Sequence, residues 1–302
     1  MKSLKLLTAG LLLTVCTSTL FAHGHDKFAK VQMKIIPVNM GIYMLMGAGG
    51  NIGVSMGDDG ILMVDDQFAP LTDKIKSAVK EISDKPIKYV FNTHWHYDHT
   101  GGNENLGKDG VILVSHDNVR QRLQNGGVIK AFGKKIEPSP LVALPDITFN
   151  DRMTFHINNE TVEIIHKPNA HTDGDAVLYF KNANVVHTGD IYFNGFYPFI
   201  DGSSGGSIDG IIASVTDILK KINENTKIIP GHGKLSNKKE LTEYRDTLII
   251  LRDRMKNLIN QGKTLEEVVA MMPNKDIDKK LGGGFLSPEN FLKILYDVVK
   301  NH

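Results

Sequence analysis

Cysteine is almost absent: Cys16 is the only one in 302 residues. A single thiol closes no disulfide within the chain and cannot build a multi-thiolate metal site. A charge excess of one sign is missing too. There are 35 basic residues against 34 acidic ones, a formal net charge of +1. That gives no global pull toward nucleic acid or an anionic membrane, so neither is expected as a partner. Long hydrophobic runs are scarce, and the clearest is Leu6 to Phe21. It follows Lys2 and Lys5 and ends at Ala22. A basic start, a short apolar core and a small final residue form the pattern of a secretory signal peptide. The run is too short and too threonine-rich to favour a permanent span. Residues 1–22 are therefore expected to be removed, leaving a periplasmic or secreted protein without stable membrane insertion. Leu13-Thr14-Val15-Cys16 has the outline of a lipid-attachment site, but Val15 is bulky for that pattern. The new start, His23-Gly24-His25, reads as a disordered polar tail.

What is present is ordinary globular material, 41% hydrophobic and 23% charged. The length suits one large domain, or one domain with an extension. Within it lies an unusual cluster: His94-Trp95-His96-Tyr97-Asp98-His99. Three imidazoles and a carboxylate in the spacing H-x-H-x-D-H are the ligands that divalent transition metals take when no thiolate is offered. A strand is expected from Ile87 to Asn92. In extended backbone, side chains two apart share a face, so His94 and His96 can grip one metal. Asp98 and His99 fall where Thr100-Gly101-Gly102 turns the chain, and would point toward a second metal.

Two metals need more ligands than one motif supplies. His171 lies in the polar turn Asn169 to Asp175, Asp190 ends the strand-like Val185 to Gly189, and His232 ends Ile228 to Gly231. Each closes an apolar segment, where polar residues can converge on one cleft.

The ordered set H-x-H-x-D-H, His, Gly-Asp and P-G-H-G resembles the metallo-β-lactamase superfamily, over roughly residues 31–240. The resemblance implies an α/β fold, a four-layer αββα sandwich, with residues 241–302 as a helical extension packed on the core. It implies two zinc ions per chain. One would take His94, His96 and His171, and the other Asp98, His99 and His232. Asp190 and a water or hydroxide would bridge them. Asp65, ending Ile61 to Val64, matches an aspartate that supports the first motif from behind. The Gly47-Ala48-Gly49-Gly50-Asn51 hairpin matches a flap over the site, which would let Met44, Met46 and Ile52 touch substrate; strand alternation equally allows a core role. Where many β-lactamases of the superfamily carry a cysteine, this chain has Asp190. That resembles hydrolases of thioesters, lactones and phosphodiesters, whereas the wording around His171 and Tyr197 to Asp201 resembles exported β-lactamase-like proteins.

The implied activity is hydrolysis of a small molecule. A metal-bound hydroxide would attack a carbonyl, with Asp98 orienting it, in a cyclic amide or ester of β-lactam kind. The alternatives are a glyoxalase II-like thioester or lactone hydrolase, an iron-using redox protein on the same scaffold, and a non-catalytic metal-binding module.

Periodicity places the rest. Leu71, Ile75, Val79 and Ile82 are helix-spaced, as are Ile211, Val215, Ile218 and Ile222. After His232, Leu241, Tyr244, Leu248, Leu251, Met255 and Leu258 form one helical stripe. Thr264 and Glu267 make a capping box, and Ser287-Pro288 starts a last helix. His116, His156, His166 and His187 read as structural. Trp95 is expected to wedge into the core, with Tyr97 able to reach the cleft. Gly202 to Gly206 reads as a flexible connector.

Overall fold

The computed structural model describes residues 26–301. The expected signal peptide and the His23-Gly24-His25 start lie outside the described residues. Apolar side chains alternating at period two first build a seven-stranded sheet. Its early strands are β1 (Lys34–Asn39), β2 (Ile42–Met46), β3 (Ile52–Gly57), β4 (Gly60–Val64), β5 (Ile87–Asn92) and β6 (Ile112–His116). A separate small hairpin, β7 (Gly127–Ile129) and β8 (Lys134–Ile136), follows, and β9 (Ile147–Phe149) completes the sheet. Strands β1 to β4 are antiparallel neighbours, and β4, β5, β6 and β9 pair in parallel.

The second half contains β10 (Arg152–Ile157), β11 (Glu160–His166), β12 (Ala176–Phe180), β13 (Val185–His187), β14 (Phe193–Asn194), β15 (Lys227–Ile229), β16 (His232–Gly233) and β17 (Ser236–Asn237). Six of them form a sheet ordered β10-β11-β12-β13-β15-β17, while β14 and β16 make a short parallel pair.

Alternation decides which layer each side chain enters. In β4, Leu62 and Val64 pack between the sheets, while Ile61 and Met63 face outward. In β12, Ala176, Leu178 and Phe180 face inward, and Val177 and Tyr179 outward. The outer face of the first sheet takes Ile75, Ala78 and Val79 of helix Thr72–Ile82. The outer face of the second takes Ile211, Val215 and Ile218 of helix Ile208–Lys221. The result is the metallo-β-lactamase fold, helix–sheet–sheet–helix.

The stripe from Leu241 to Leu258 is the buried face of one long helix, Lys238–Asn260. It packs against Ile208–Lys221 and the final helix, Pro288–Lys300. The capping box at Thr264 and Glu267 forms, and Ser287 caps the last helix. Leu281, Leu286, Phe291 and Leu295 share one buried cluster with the second sheet. Among the described residues, no helix is long and apolar enough to cross a membrane.

One open alternative is decided and one expectation is corrected. Met44 and Ile52 are fully buried on opposite faces of the first sheet, Met44 against the second sheet and Ile52 under the helix Thr72–Ile82, so both take the core role and neither touches a cleft. Gly202 to Gly206 is not an open connector. Gly202–Ser204 is a tight turn whose Ser203 and Ser204 hydroxyls donate to Asp201.

Leu251 is fully buried on the long helix. Leu251→Ala should cost about 2–5 kcal/mol of stability by urea denaturation. A cost below about 1 kcal/mol would mean that this helix does not belong to the cooperative core.

Candidate metal centre

The site grows from strand ends. Strand β5 stops at Asn92, residues 93–96 bend, and Tyr97–Thr100 forms one helical turn. That break sends His94 and His96 one way and Asp98 and His99 another. His171 comes from the β11–β12 loop, where the Thr172 backbone N–H and hydroxyl both donate to Asp175 at 2.7 Å. Asp190 sits in the tight turn Gly189–Ile191 after β13, and His232 opens β16. Two glycines allow the approach. A Cβ on Gly50 would lie 2.1 Å from the His99 ring, and one on Gly231 would lie 2.1 Å from Asp190 Oδ1.

All seven expected residues meet. His94, His96, His171 and Asp190 form one group, and Asp98, His99 and His232 form another; within each, the donor atoms lie within 4.8 Å of one another. Asp190 touches both groups. Its Oδ2 is 3.6 Å from His171 Nε2, 3.8 Å from His94 Nε2 and 3.3 Å from His232 Nε2, and its Oδ1 is 3.1 Å from His99 Nε2. Asp98 Oδ2 is 3.4 Å from His232 Nε2.

Hydrogen bonds behind the rings settle which nitrogen faces the centre. His171 Nδ1 donates to the Phe199 carbonyl at 2.8 Å, and His96 Nε2 donates to Asp201 at 3.0 Å. His99 Nδ1 donates to Asp65 at 2.7 Å. The Thr93 hydroxyl donates to Asp65, so it accepts from His94 Nδ1 at 3.0 Å. In the neutral rings, the opposite nitrogens therefore carry lone pairs. His96 Nδ1 and His171 Nε2 point these at each other across 2.8 Å. His99 Nε2 and His232 Nε2 stand 3.3 Å apart. His94 Nε2 is buried with no hydrogen-bond partner. Facing lone pairs repel unless a proton or a cation lies between them, so the donor set fits metal ions.

Burial and charge split the imidazoles. Burial, with His99 next in effect, pushes His94 well below the ordinary histidine range. Burial and His96 lower His171 to about 4. Burial also disfavours charge on His232, but Asp190 and Asp98 outweigh it and raise it to about 9. The same contest raises His99, through Asp190, Asp65 and Asp98. Burial opposes ionisation of Asp98, yet His99 and His232 hold it down to about 2. Asp190 is likewise held well below the carboxylate range, against its burial, by His232, His99 and His94.

Over the centre lies a cavity of about 280 Å³. Its walls include Phe68, Tyr97, Phe132, Phe199 and Phe285. Tyr97 thus reaches the cleft, whereas Trp95 is buried in the core. Phe285 brings the C-terminal segment to the cavity wall. Gly49 lines it as well, so the Gly47 to Asn51 turn does border the site.

The remaining histidines lie outside both groups. His116 caps helix Asp117–Asn125 and stacks on His166 with ring centres 3.7 Å apart. His156 lies on β10, and His187 Nε2 contacts the Asn51 carbonyl at 3.2 Å. Sequence reading missed Thr93, Asn51 and Asp201. Asn51 donates to the Pro230 and Gly233 carbonyls, tying the glycine turn to the His232 loop. None of the three has a motif spacing that marks it; each matters through a contact distant in sequence.

A four-layer sandwich with adjoining histidine–carboxylate groups at its strand ends defines a class, the metal-dependent hydrolases of this fold. Residues 55–232 match the model of the metallo-beta-lactamase superfamily, and the chain belongs to that family. A hydroxyacylglutathione hydrolase of Pelagibacter ubique is 31% identical over 197 residues, covering 64% of this chain and 69% of that one. A metallo-beta-lactamase from Pontibacter korlensis superimposes with a TM-score of 0.60 at 16% identity, over 72% of this chain and 99% of that one. The sec-alkylsulfatase Pisa1 from Pseudomonas sp. gives 0.66 at 18% identity, over 88% of this chain and 50% of that one.

The titrations carry a sign. His232 gains its stabilising charge as pH falls from about 9 to the unfolded value of 6.5. His171 and His187, both held near 4 in the fold, cost stability as pH falls from 6.5 toward 4, because the unfolded chain takes up those protons first. Burial raises Asp175 to about 8, so its carboxyl takes up a proton over the same range as His232 and adds stability in the same direction. The metal-free protein should therefore gain stability as pH falls from about 9 to 6.5; denaturation midpoints that fall steadily from pH 8 to 6.5 would contradict this.

Proposed function

We propose that this protein is a dinuclear zinc hydrolase cleaving a thioester or carboxylic ester, with the cyclic amide of a β-lactam as the second reading. The observation that carries it is the set of inward lone pairs, with His96 Nδ1 and His171 Nε2 only 2.8 Å apart. His94, His96 and His171 would hold one metal, and Asp98, His99 and His232 the other. Asp190 contributes an oxygen toward each. Bound there, zinc would supply Lewis acidity and a water activated near neutral pH.

The chain's own residues do the positioning. Asp65 and Asp201 fix the rings of His99 and His96, so their lone pairs stay aimed without reorganisation. Asp98, with 22% of its side chain exposed at the cavity floor, stays ionised and orients the attacking water. The aromatic walls bound the space beside Asp98 in which a substrate carbonyl would sit. The carboxylate at position 190, together with a relative named as a hydroxyacylglutathione hydrolase, favours the thioester reading. The sequence around His171 and Asp201 keeps the β-lactam reading in view.

Two experiments decide this. Metal analysis of purified protein should find two zinc ions per chain, with hydrolysis in a panel of thioesters, lactones, β-lactams and phosphodiesters. Iron with colour, and no hydrolysis, would transfer the reading to redox chemistry. Asp190→Asn keeps size but loses charge, so the second metal should leave first and turnover should fall about a hundredfold or more. Two zinc ions bound with unchanged affinity and turnover would remove Asp190 from its bridging position.

Export rests on the Lys2 to Ala22 pattern. N-terminal sequencing from the native host should find a start near His23 outside the cytoplasm; a cytosolic product that keeps Met1 would reverse this.

A further inference from the structure

The cavity above the clusters is walled by aromatic rings drawn from separate parts of the chain. From one cluster to the other they form an arc. Phe199 stacks on His96 with ring centres 5.5 Å apart, and Phe132 lies 4.8 Å from Phe199. Phe285 lies 6.3 Å from Phe132 and 6.3 Å from Phe193, which stacks on His232 at 5.0 Å. Phe68 and Tyr97, 5.7 Å apart, stand on the cavity wall too. Phe132 comes from the β7–β8 hairpin region and Phe285 from the segment before the last helix. They remain 44% and 58% exposed. Large rings left in water at a cavity mouth retain apolar area for a ligand to cover.

Polar lining is confined to the floor: His96, Asp98, Asp190 and His232. The side chains above it present no amide, hydroxyl or cation that would bind a peptide-like group, apart from the Tyr97 phenol. Lys134 is not part of the cavity lining; its ammonium sits 3.0 Å over the Tyr97 ring at the edge of the wall. A volume of about 280 Å³ is at the small end for ligand cavities. It suits one compact ring system and not a long chain. Ring walls favour a flat aromatic guest beyond what its area alone would give, through offset and edge-to-face contacts.

We propose that the cavity selects substrates whose acyl part carries a compact aromatic group, with Phe132 and Phe285 as the residues that set this preference. The proposal rests on the hydrolase reading above. The probes are phenylacetyl and acetyl thioesters of N-acetylcysteamine, compared on the zinc-loaded protein. Phenylacetate binding to the metal-free protein, followed by calorimetry, gives a second readout.

The phenylacetyl thioester should be preferred about tenfold or more in kcat/KM. Phe132→Leu keeps apolar bulk but removes the ring, and Phe285→Ala opens the mouth. Each should shrink the preference severalfold, chiefly through KM, and weaken phenylacetate binding, while Phe132→Tyr should restore both. Equal rates on the two thioesters, in wild type and variants alike, would overturn the aromatic preference and leave the hydrolase reading standing. No turnover of either, with phenylacetate still bound in a Phe285-dependent way, would support the aromatic site and overturn the thioester reading. No turnover and no binding would overturn the proposal.

Discussion

One buried carboxylate organises the centre. Asp65 directly follows β4 with a φ of +65°, a backbone conformation that side-chain-bearing residues seldom adopt. Its Oδ1 accepts the Thr93 backbone N–H at 2.7 Å, and its Oδ2 accepts the Thr93 hydroxyl and His99 Nδ1. Through Thr93 it sets the ring of His94, and directly it sets the ring of His99. One fully buried residue thus reaches both clusters from behind. Gln67, also at positive φ, holds the Gly50 carbonyl at 2.6 Å, so the same short turn fixes the glycine loop over His99. Strain stored at such a turn is sustained only because surrounding hydrogen bonds leave no alternative.

That arrangement leaves much polar chemistry in a dry interior. His94, His99 and His171 are fully buried, and Asp190 nearly so. Without cations, the clusters must share protons. His99 and His232 become the charged partners of Asp190 and Asp98, while His94 and His171 are driven toward neutrality. A purely structural core would be better served by apolar residues of the same volume. His96 and His171 with facing lone pairs, and His94 with an inward nitrogen that has no hydrogen-bond partner, make sense for a centre that binds metal.

The substrate side is built differently. The clustered histidines and carboxylates come from strand ends of both sheets, whereas much of the wall above them comes from the β7–β8 hairpin region, the Tyr197 to Ile200 stretch and the segment before the last helix. The long helix Lys238–Asn260 and its neighbours are therefore more than a brace on the second sheet. They also carry Phe285 to the cavity mouth. Proteins of different named activities share this fold, so the site and not the fold decides the chemistry.

Much of this was legible from residue order. H-x-H-x-D-H, with its three later partners, picked out the seven side chains that the fold gathers into two groups, because ligand chemistry tolerates few residue types and their spacing is local. Period-two and helical patterns placed the strands and the Leu241 to Leu258 stripe, because burial on one face leaves a local signature. Other features had no such signature. Met44 and Ile52 could have faced cleft or core by alternation alone, and only the layers packed on the two faces of the first sheet settled that they are core. Asp201 stood in the Tyr197 to Asp201 segment, noted for its resemblance but given no role, because its value lies in a bond to His96, which stands 105 positions earlier. Phe132 and Phe285 are ordinary exposed aromatics in the sequence. The sequence by itself determined which atoms could bind metal and which faces had to be buried. Only the tertiary structure decided which nitrogen of each ring turns inward and what surrounds a substrate, since both depend on contacts between segments far apart in the chain.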